Sequence, residues 1–166
     1  MTIDQTATET YLDGKVKYGL SDARSFDGRE CVVVGGGNSA IEAAVQLTGL
    51  DTENGITFTL NNRVTLLVRS DFTPDLKFVN KMNLYDCLDA GRIAVRFGTQ
   101  IKEIREQEVI LMNNKKEETD RIPNDYVFIR IGSQWPRSFL TEAGIEVLKP
   151  SELAARGSRA EGAEIS

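Results

Sequence analysis

Hydrophobic and polar positions follow two periods along this chain, and the change from one to the other marks its elements. Cys31-Val32-Val33-Val34 is a continuous apolar run, mostly β-branched, as expected for a strand buried on both faces of a parallel sheet. Three glycines follow, and then the helix-forming stretch Ala40 to Leu47. A helix is predicted over 38–48, stopped by Gly49, which can adopt the left-handed conformation that ends helices.

Beyond that point the pattern continues in α/β fashion. Arg63-Val64-Thr65-Leu66-Leu67-Val68 reads as a second parallel strand, ending at Arg69-Ser70-Asp71. A second helix is predicted over 75–90, with Leu76, Val79, Met82 and Leu88 among its apolar positions and Gly91 as its stop. A third strand spans 92–97. Segments 100–105, 107–112 and 117–122 are short and separated by polar turns such as Asn113-Asn114-Lys115-Lys116, the signature of an antiparallel meander. A strand returns over 125–131, followed by a short helix over 138–144 and a short strand over 145–147.

Two stretches depart from this rhythm. The connection 50–62 exceeds the roughly 2 to 6 residues usual between a helix and a strand. In it, Ile56, Phe58 and Leu60 alternate with Thr57 and Thr59, so part of it is expected to pair as a hairpin. It reads either as a surface facing a partner or substrate, or as an insertion tolerated because loops lengthen at little cost. Residues 1–30 lack strong periodicity and read as a lead-in, with turns at Asp13-Gly14 and Asp27-Gly28. The expected organisation is a lead-in over 1–27, a Rossmann-like domain over 28–149 with a central parallel sheet and a meander, and a disordered tail over 150–166 rich in Ala, Gly, Ser and charge.

Composition narrows the function. A chain of 166 residues with 40% hydrophobic and 27% charged residues is a globular composition, and its net charge of −5 gives no basic excess for nucleic acid or an anionic membrane. No apolar run approaches the roughly 20 residues of a membrane helix. The first ten residues are polar and unlike a signal peptide, so a cytoplasmic location is expected. Histidine is absent, which removes His-based acid/base chemistry, the usual Ser or Cys triads and most zinc sites. Cys31 and Cys87 form no Cys-x-x-Cys pair and read as buried packing residues.

The candidate chemistry lies in Gly35-Gly36-Gly37-Asn38-Ser39-Ala40. Gly35-x-Gly37-x-x-Ala40 has the spacing of a dinucleotide-binding fingerprint, set between a buried strand and a helix as that motif requires. Gly35 lets the chain reverse out of the strand. Gly37 has no Cβ, so a pyrophosphate can approach the backbone, and Ala40 lets the helix lie close to the strand. The helix start at Asn38 and Ser39 then directs free N–H groups and the positive dipole end at that pyrophosphate. The alternative is a glycine-rich turn of another α/β domain.

Three segments resemble the pyridine-nucleotide-binding domain of the flavin-dependent disulfide oxidoreductases. They are Gly35-Gly36-Gly37-Asn38-Ser39-Ala40-Ile41-Glu42, Val64 to Asp71, and Ile122 to Gly132. The likeness is greatest to the thioredoxin-reductase-like group that includes bacillithiol disulfide reductases, and it covers roughly 28–147. It implies that Gly35, Gly36, Gly37, Asn38, Ser39 and Ala40 meet the pyrophosphate and that Glu42 lies near the nicotinamide end. It further implies that Arg69 takes the 2′-phosphate of NADPH and that Gly132 lets the closing strand approach the dinucleotide.

The Arg69 assignment also follows from chemistry. A 2′-phosphate needs a cation, and an arginine fork suits it. An acid in its place would accept the ribose hydroxyls and repel the phosphate; Val68 occupies the position where NAD-using relatives carry that acid. Ser70 can add a hydroxyl contact, where relatives often carry a second basic residue. NADPH is therefore favoured, with NADH possible. The family's FAD-binding fingerprint, its redox Cys-x-x-Cys and its late Gly-Asp segment do not occur, so the chain resembles the excised NAD(P)H-binding half of such an enzyme. It is expected to hold the nicotinamide for hydride transfer to an FAD bound by an FAD-binding domain of the same or a partner chain, and by itself not to turn over. No catalytic residue or metal site is expected, and a homodimer is left open. Two other readings stand beside this one: a stand-alone NAD(P)-binding sensor or partner-docking module, and a Rossmann-type enzyme for a nucleotide-sugar or S-adenosylmethionine.

Overall fold

The computed structural model describes residues 2–3 and 14–131. The elements expected over 138–144 and 145–147, the tail over 150–166, and Gly132 lie outside the described residues.

A parallel sheet of five strands forms the middle layer. Its strands are β2 (Val16–Lys17), β3 (Glu30–Val34), β6 (Arg63–Val68), β7 (Ile93–Phe97) and β11 (Tyr126–Ile129), in the order β2-β11-β3-β6-β7. Helix α1 (Asn38–Thr48) connects β3 to β6, and α2 (Phe78–Asp89) connects β6 to β7, as parallel neighbours require crossovers. The meander of β8 (Thr99–Ile104), β9 (Glu108–Asn113) and β10 (Glu118–Pro123) is antiparallel.

The unbroken apolar strands are explained by two separate cores. Cys31, Val33, Val64, Leu66, Val68 and Phe128 face the helices, meeting Ile41, Ala44 and Leu47. Their neighbours Val32, Leu67, Val127 and Ile129 face the meander, meeting Ile101, Ile104, Val109 and Leu111. Alternate residues of one strand thus enter opposite layers.

Helix α1 keeps its expected limits. Gly49 ends it at φ 67° and donates its N–H to the Gln46 carbonyl. Part of the 50–62 connection pairs as the expected hairpin, β4 (Leu50–Asp51) with β5 (Thr57–Phe58). The lead-in, by contrast, supplies strands to both sheets. The backbone of β1 (Thr2–Ile3) pairs parallel with Glu103 and Ile104 of β8, and β2 pairs parallel with β11. Two-residue strands carry no period to read. Helix α2 begins at Phe78 rather than 75, because Asp75 and Lys77 give their backbone groups to Asn38. Among the described residues, no helix is long and apolar enough to cross a membrane.

Candidate functional site

The glycine turn lies at the carboxyl end of β3, beside the ends of β6 and β11. Gly35 sits at φ 147°, a conformation that L side chains rarely adopt. A Cβ there would run into the Arg130 carbonyl oxygen and lie 2.8 Å from the Ala40 Cβ. Glycine at 35 and a small residue at 40, both buried, are therefore what let β3, β11 and α1 converge. Gly35 also donates its N–H to the Leu67 carbonyl at 3.1 Å.

Gly36 has a structural partner of its own. A Cβ on it would lie 3.1 Å from the Asp71 carbonyl oxygen and 3.2 Å from Val68 Cγ1. Its carbonyl accepts the Thr73 N–H at 2.9 Å. The segment after β6, which carries Arg69, is thereby fastened to the turn. Gly37 has an extended backbone (φ −106°, ψ −175°), which any residue can adopt, so its own angles do not demand glycine.

Helix α1 starts at Asn38 with no side-chain cap and no acidic residue in its first turn. Its first N–H groups and its dipole thus present uncompensated positive potential beside the glycines. The Asn38 side chain itself faces the loop. Its Oδ1 accepts from the Lys77 N–H at 2.8 Å and from Asn80 Nδ2 at 2.9 Å, and its Nδ2 donates to the Asp75 carbonyl at 3.1 Å. Only the backbone of Asn38 can serve an anion at the helix start. Ser39 is half-buried. Glu42, one turn on, accepts from Asn80 Nδ2 at 2.8 Å, so it is anchored rather than freely solvated.

Arg69, Ser70 and Asp71 leave the end of β6 exposed. The Arg69 carbonyl accepts from Asn114 Nδ2 at 3.1 Å. Phe72, the next residue of this loop, meets Phe97 of β7 edge to face, with ring centroids 5.2 Å apart. The structure thus brings Gly35, Gly36, Gly37, Asn38, Ser39, Ala40 and Glu42 to one end of the sheet, with Arg69 and Ser70 at the end of the adjacent strand. Sequence reasoning missed Thr73, Asn80 and Asn114, which fasten the loop. Asn80 had a signal: a polar residue among apolar helix positions that proves to be buried.

Both cysteines are buried, as their apolar surroundings imply. Burial pushes the Cys31 thiol up to about 12 and the Cys87 thiol also upward, so neither is an activated nucleophile. An open hollow of about 680 Å³ lies at the opposite end of the sheet, against Arg105, Gln107, Arg121 and Pro123. Its arginines are engaged by Glu103, Glu108 and Glu118, so it presents no free cationic centre.

Comparison with known proteins bears on the family and the fold. Bacilliredoxin reductase Bdr of Bacillus subtilis (strain 168) is 29% identical over 136 residues, covering 81% of this chain and 39% of that protein. A 34.2 kDa protein of the rubredoxin operon of Clostridium pasteurianum is 27% identical over 147 residues, 85% of this chain and 43% of the relative. The structure of bacillithiol disulfide reductase Bdr from Staphylococcus aureus superposes with a TM-score of 0.60 at 29% identity, over 81% of this chain and 38% of that one. Thioredoxin reductase of Lactococcus lactis, at 24% identity and a TM-score of 0.58, shares the fold over 81% of this chain and 42% of its own. The chain spans about two-fifths of the length of these relatives. The family model for pyridine nucleotide-disulphide oxidoreductases matches residues 7–155, and the chain belongs to that family.

Proposed function

We propose that this chain binds a nicotinamide dinucleotide, NADPH in preference to NADH, across the glycine turn, and positions its nicotinamide toward an FAD held by a part of the protein outside this chain. The observation that carries the reading is the uncapped start of α1, set behind Gly35 and Gly37 and flanked by exposed Arg69 at the end of the next strand. An anion with a second phosphate about one strand away fits that arrangement. The bound dinucleotide supplies the hydride chemistry.

The chain's own residues bind and orient. Backbone N–H groups at Asn38, Ser39 and Ala40 hold the pyrophosphate. The Arg69 guanidinium pairs with the 2′-phosphate, with the Ser70 hydroxyl beside it. Glu42, steadied by Asn80, lies one turn along α1 on the nicotinamide side, and Gly132 is assigned to the closing approach of the last strand on the family resemblance. Residues 28–149 are the span assigned to this domain.

Titration of the full chain with NADPH and NADH, read by calorimetry, tests the reading. Colourless protein that binds NADPH more tightly is the expected result. Arg69→Glu should move the preference toward NADH, and Gly37→Val should abolish binding of both by placing a side chain in the pyrophosphate path. Neither nucleotide binding the wild-type chain would overturn the assignment.

A further inference from the structure

We propose that Lys115 and Lys116, on the turn between β9 and β10, form a second cationic contact for the 2′-phosphate addressed by Arg69. The inference deepens the function proposed above and rests on its assignment of NADPH. Arg69 is followed by Ser70 and then by the carboxylate of Asp71, so its own segment brings a single cation to a dianionic group and an opposing charge close behind. The meander supplies what that segment lacks.

The turn is fastened to Arg69 itself. Asn114 Nδ2 donates to the Arg69 carbonyl at 3.1 Å, and Asn114 Oδ1 accepts from Gln100 Nε2 at 2.9 Å, fixing the amide from both sides. Asn113 closes the turn beneath it: its Oδ1 accepts from the N–H groups of Lys115 at 2.9 Å and Glu117 at 3.1 Å. The next two residues after the pinned asparagine are the lysines. With successive Cα atoms about 3.8 Å apart, their flexible stems start within about 8 Å of the Asn114 Cα, whose side chain is pinned to the Arg69 backbone.

Charge accounting supports the same assignment. Both lysines are exposed, and among the described residues neither forms an ion pair. The carboxylates that follow are already engaged: Glu118 with Arg121 at 3.3 Å and Asp120 with Arg96 at 2.9 Å. Glu117 Oε2 accepts from Asn113 Nδ2 at 3.5 Å. Lys116 also holds φ 65°, a left-handed position where glycine or asparagine would be easier. An ammonium has no directional fork, so two lysines supply charge around the phosphate while Arg69 supplies geometry.

The test uses the full chain, wild type and the double variant Lys115→Gln/Lys116→Gln, titrated with NADPH and NADH. Adenosine 2′,5′-bisphosphate and AMP serve as probes of the phosphate alone. The double variant should bind NADPH and the bisphosphate about five- to tenfold more weakly, the combined effect of two exposed charge pairs, with NADH and AMP changed less than about twofold. The NADPH loss should shrink as salt is raised. Asn114→Ala, which unpins the turn and keeps both charges, should give a smaller loss in the same direction. An unchanged NADPH-to-NADH ratio in the double variant, with a reduced ratio in Arg69→Gln, would overturn this proposal and leave the Arg69 reading standing. A wild-type chain that binds both nucleotides equally would overturn both.

Discussion

Helix α1 buries Ala40, Ile41, Ala43, Ala44, Leu47 and Thr48, whereas α2, one residue longer, buries Asn80, Leu84 and Cys87 and leaves Phe78, Val79, Met82 and Tyr85 exposed, Phe78 by 77%. The first helix is seated by apolar contact along its length. The second is seated as much by hydrogen bonds, through Asn80 to Asn38 and Glu42 and through Lys77 to Asn38. The difference matches their duties. Helix α1 holds a fixed N-terminus behind the glycine turn, where the proposed dinucleotide would bind, while α2 and the loop before it are registered on α1 by an asparagine amide, and that loop carries Arg69. The proposed site would therefore depend on packing at its glycine-turn end and on a few hydrogen bonds at its Arg69 end.

The largest effect that could break this comparison is in the core. Ile41→Ala should cost about 2–5 kcal/mol of unfolding free energy, measured by urea denaturation. A cost no greater than that of Met82→Ala would show that α1 is not seated by packing. Next comes the polar seat of α2. Asn80→Leu leaves Asn38 Oδ1 short of one donor and Glu42 without its amide, and should cost about 1–3 kcal/mol. It should also weaken NADPH more than NADH, since the Arg69 loop loses its register; equal losses would separate the loop from α2.

A pH series distinguishes the two faces of the sheet. Lys15, on the meander side, donates to the carbonyls of Glu106 and Asn124, and burial lowers its pKa from 10.5 to about 8, against the raising effect of Asp125 and Glu106. Above pH 8 the unfolded chain therefore holds a proton that the folded chain has released, so stability rises with pH from about 8. Cys31 and Cys87 work the other way: raised in the fold, they keep protons that the unfolded chain loses from about pH 9, so stability falls there. Lys15→Met should remove the rise, and Cys87→Ala should soften the fall. A Lys15→Met variant with an unaltered slope between pH 8 and 9 would show that another group sets it. The smallest effect is expected at the exposed face of α2, where Phe78→Lys should change stability by less than about 0.5 kcal/mol; a larger loss would mean that this face is covered in solution.

Strand positions, the limits of α1, the hairpin within 50–62 and the meander were legible in the sequence, because each follows from local rules. Continuous apolar runs need two buried faces, Gly49 can hold a left-handed angle, and Asn113-Asn114-Lys115-Lys116 cannot continue a strand. The glycine turn was legible for the same reason, since its spacing encodes a backbone path. Less legible were the lead-in strands, which are two residues each, and the start of α2, which competes with Asn38 for its own backbone groups.

The sequence by itself determined which residues can turn, which must be buried, and that a strand, a glycine turn and a helix follow one another. Only the tertiary structure decided that the Asn38 side chain serves the loop while its backbone faces the turn. It alone decided that Gly36 packs against Asp71, and that Asn114 meets Arg69, 45 residues away in the chain. Backbone angle and periodicity are properties of a few consecutive residues. A hydrogen bond between distant side chains exists only after the layers have packed and brought its donor and acceptor within 3 Å or so.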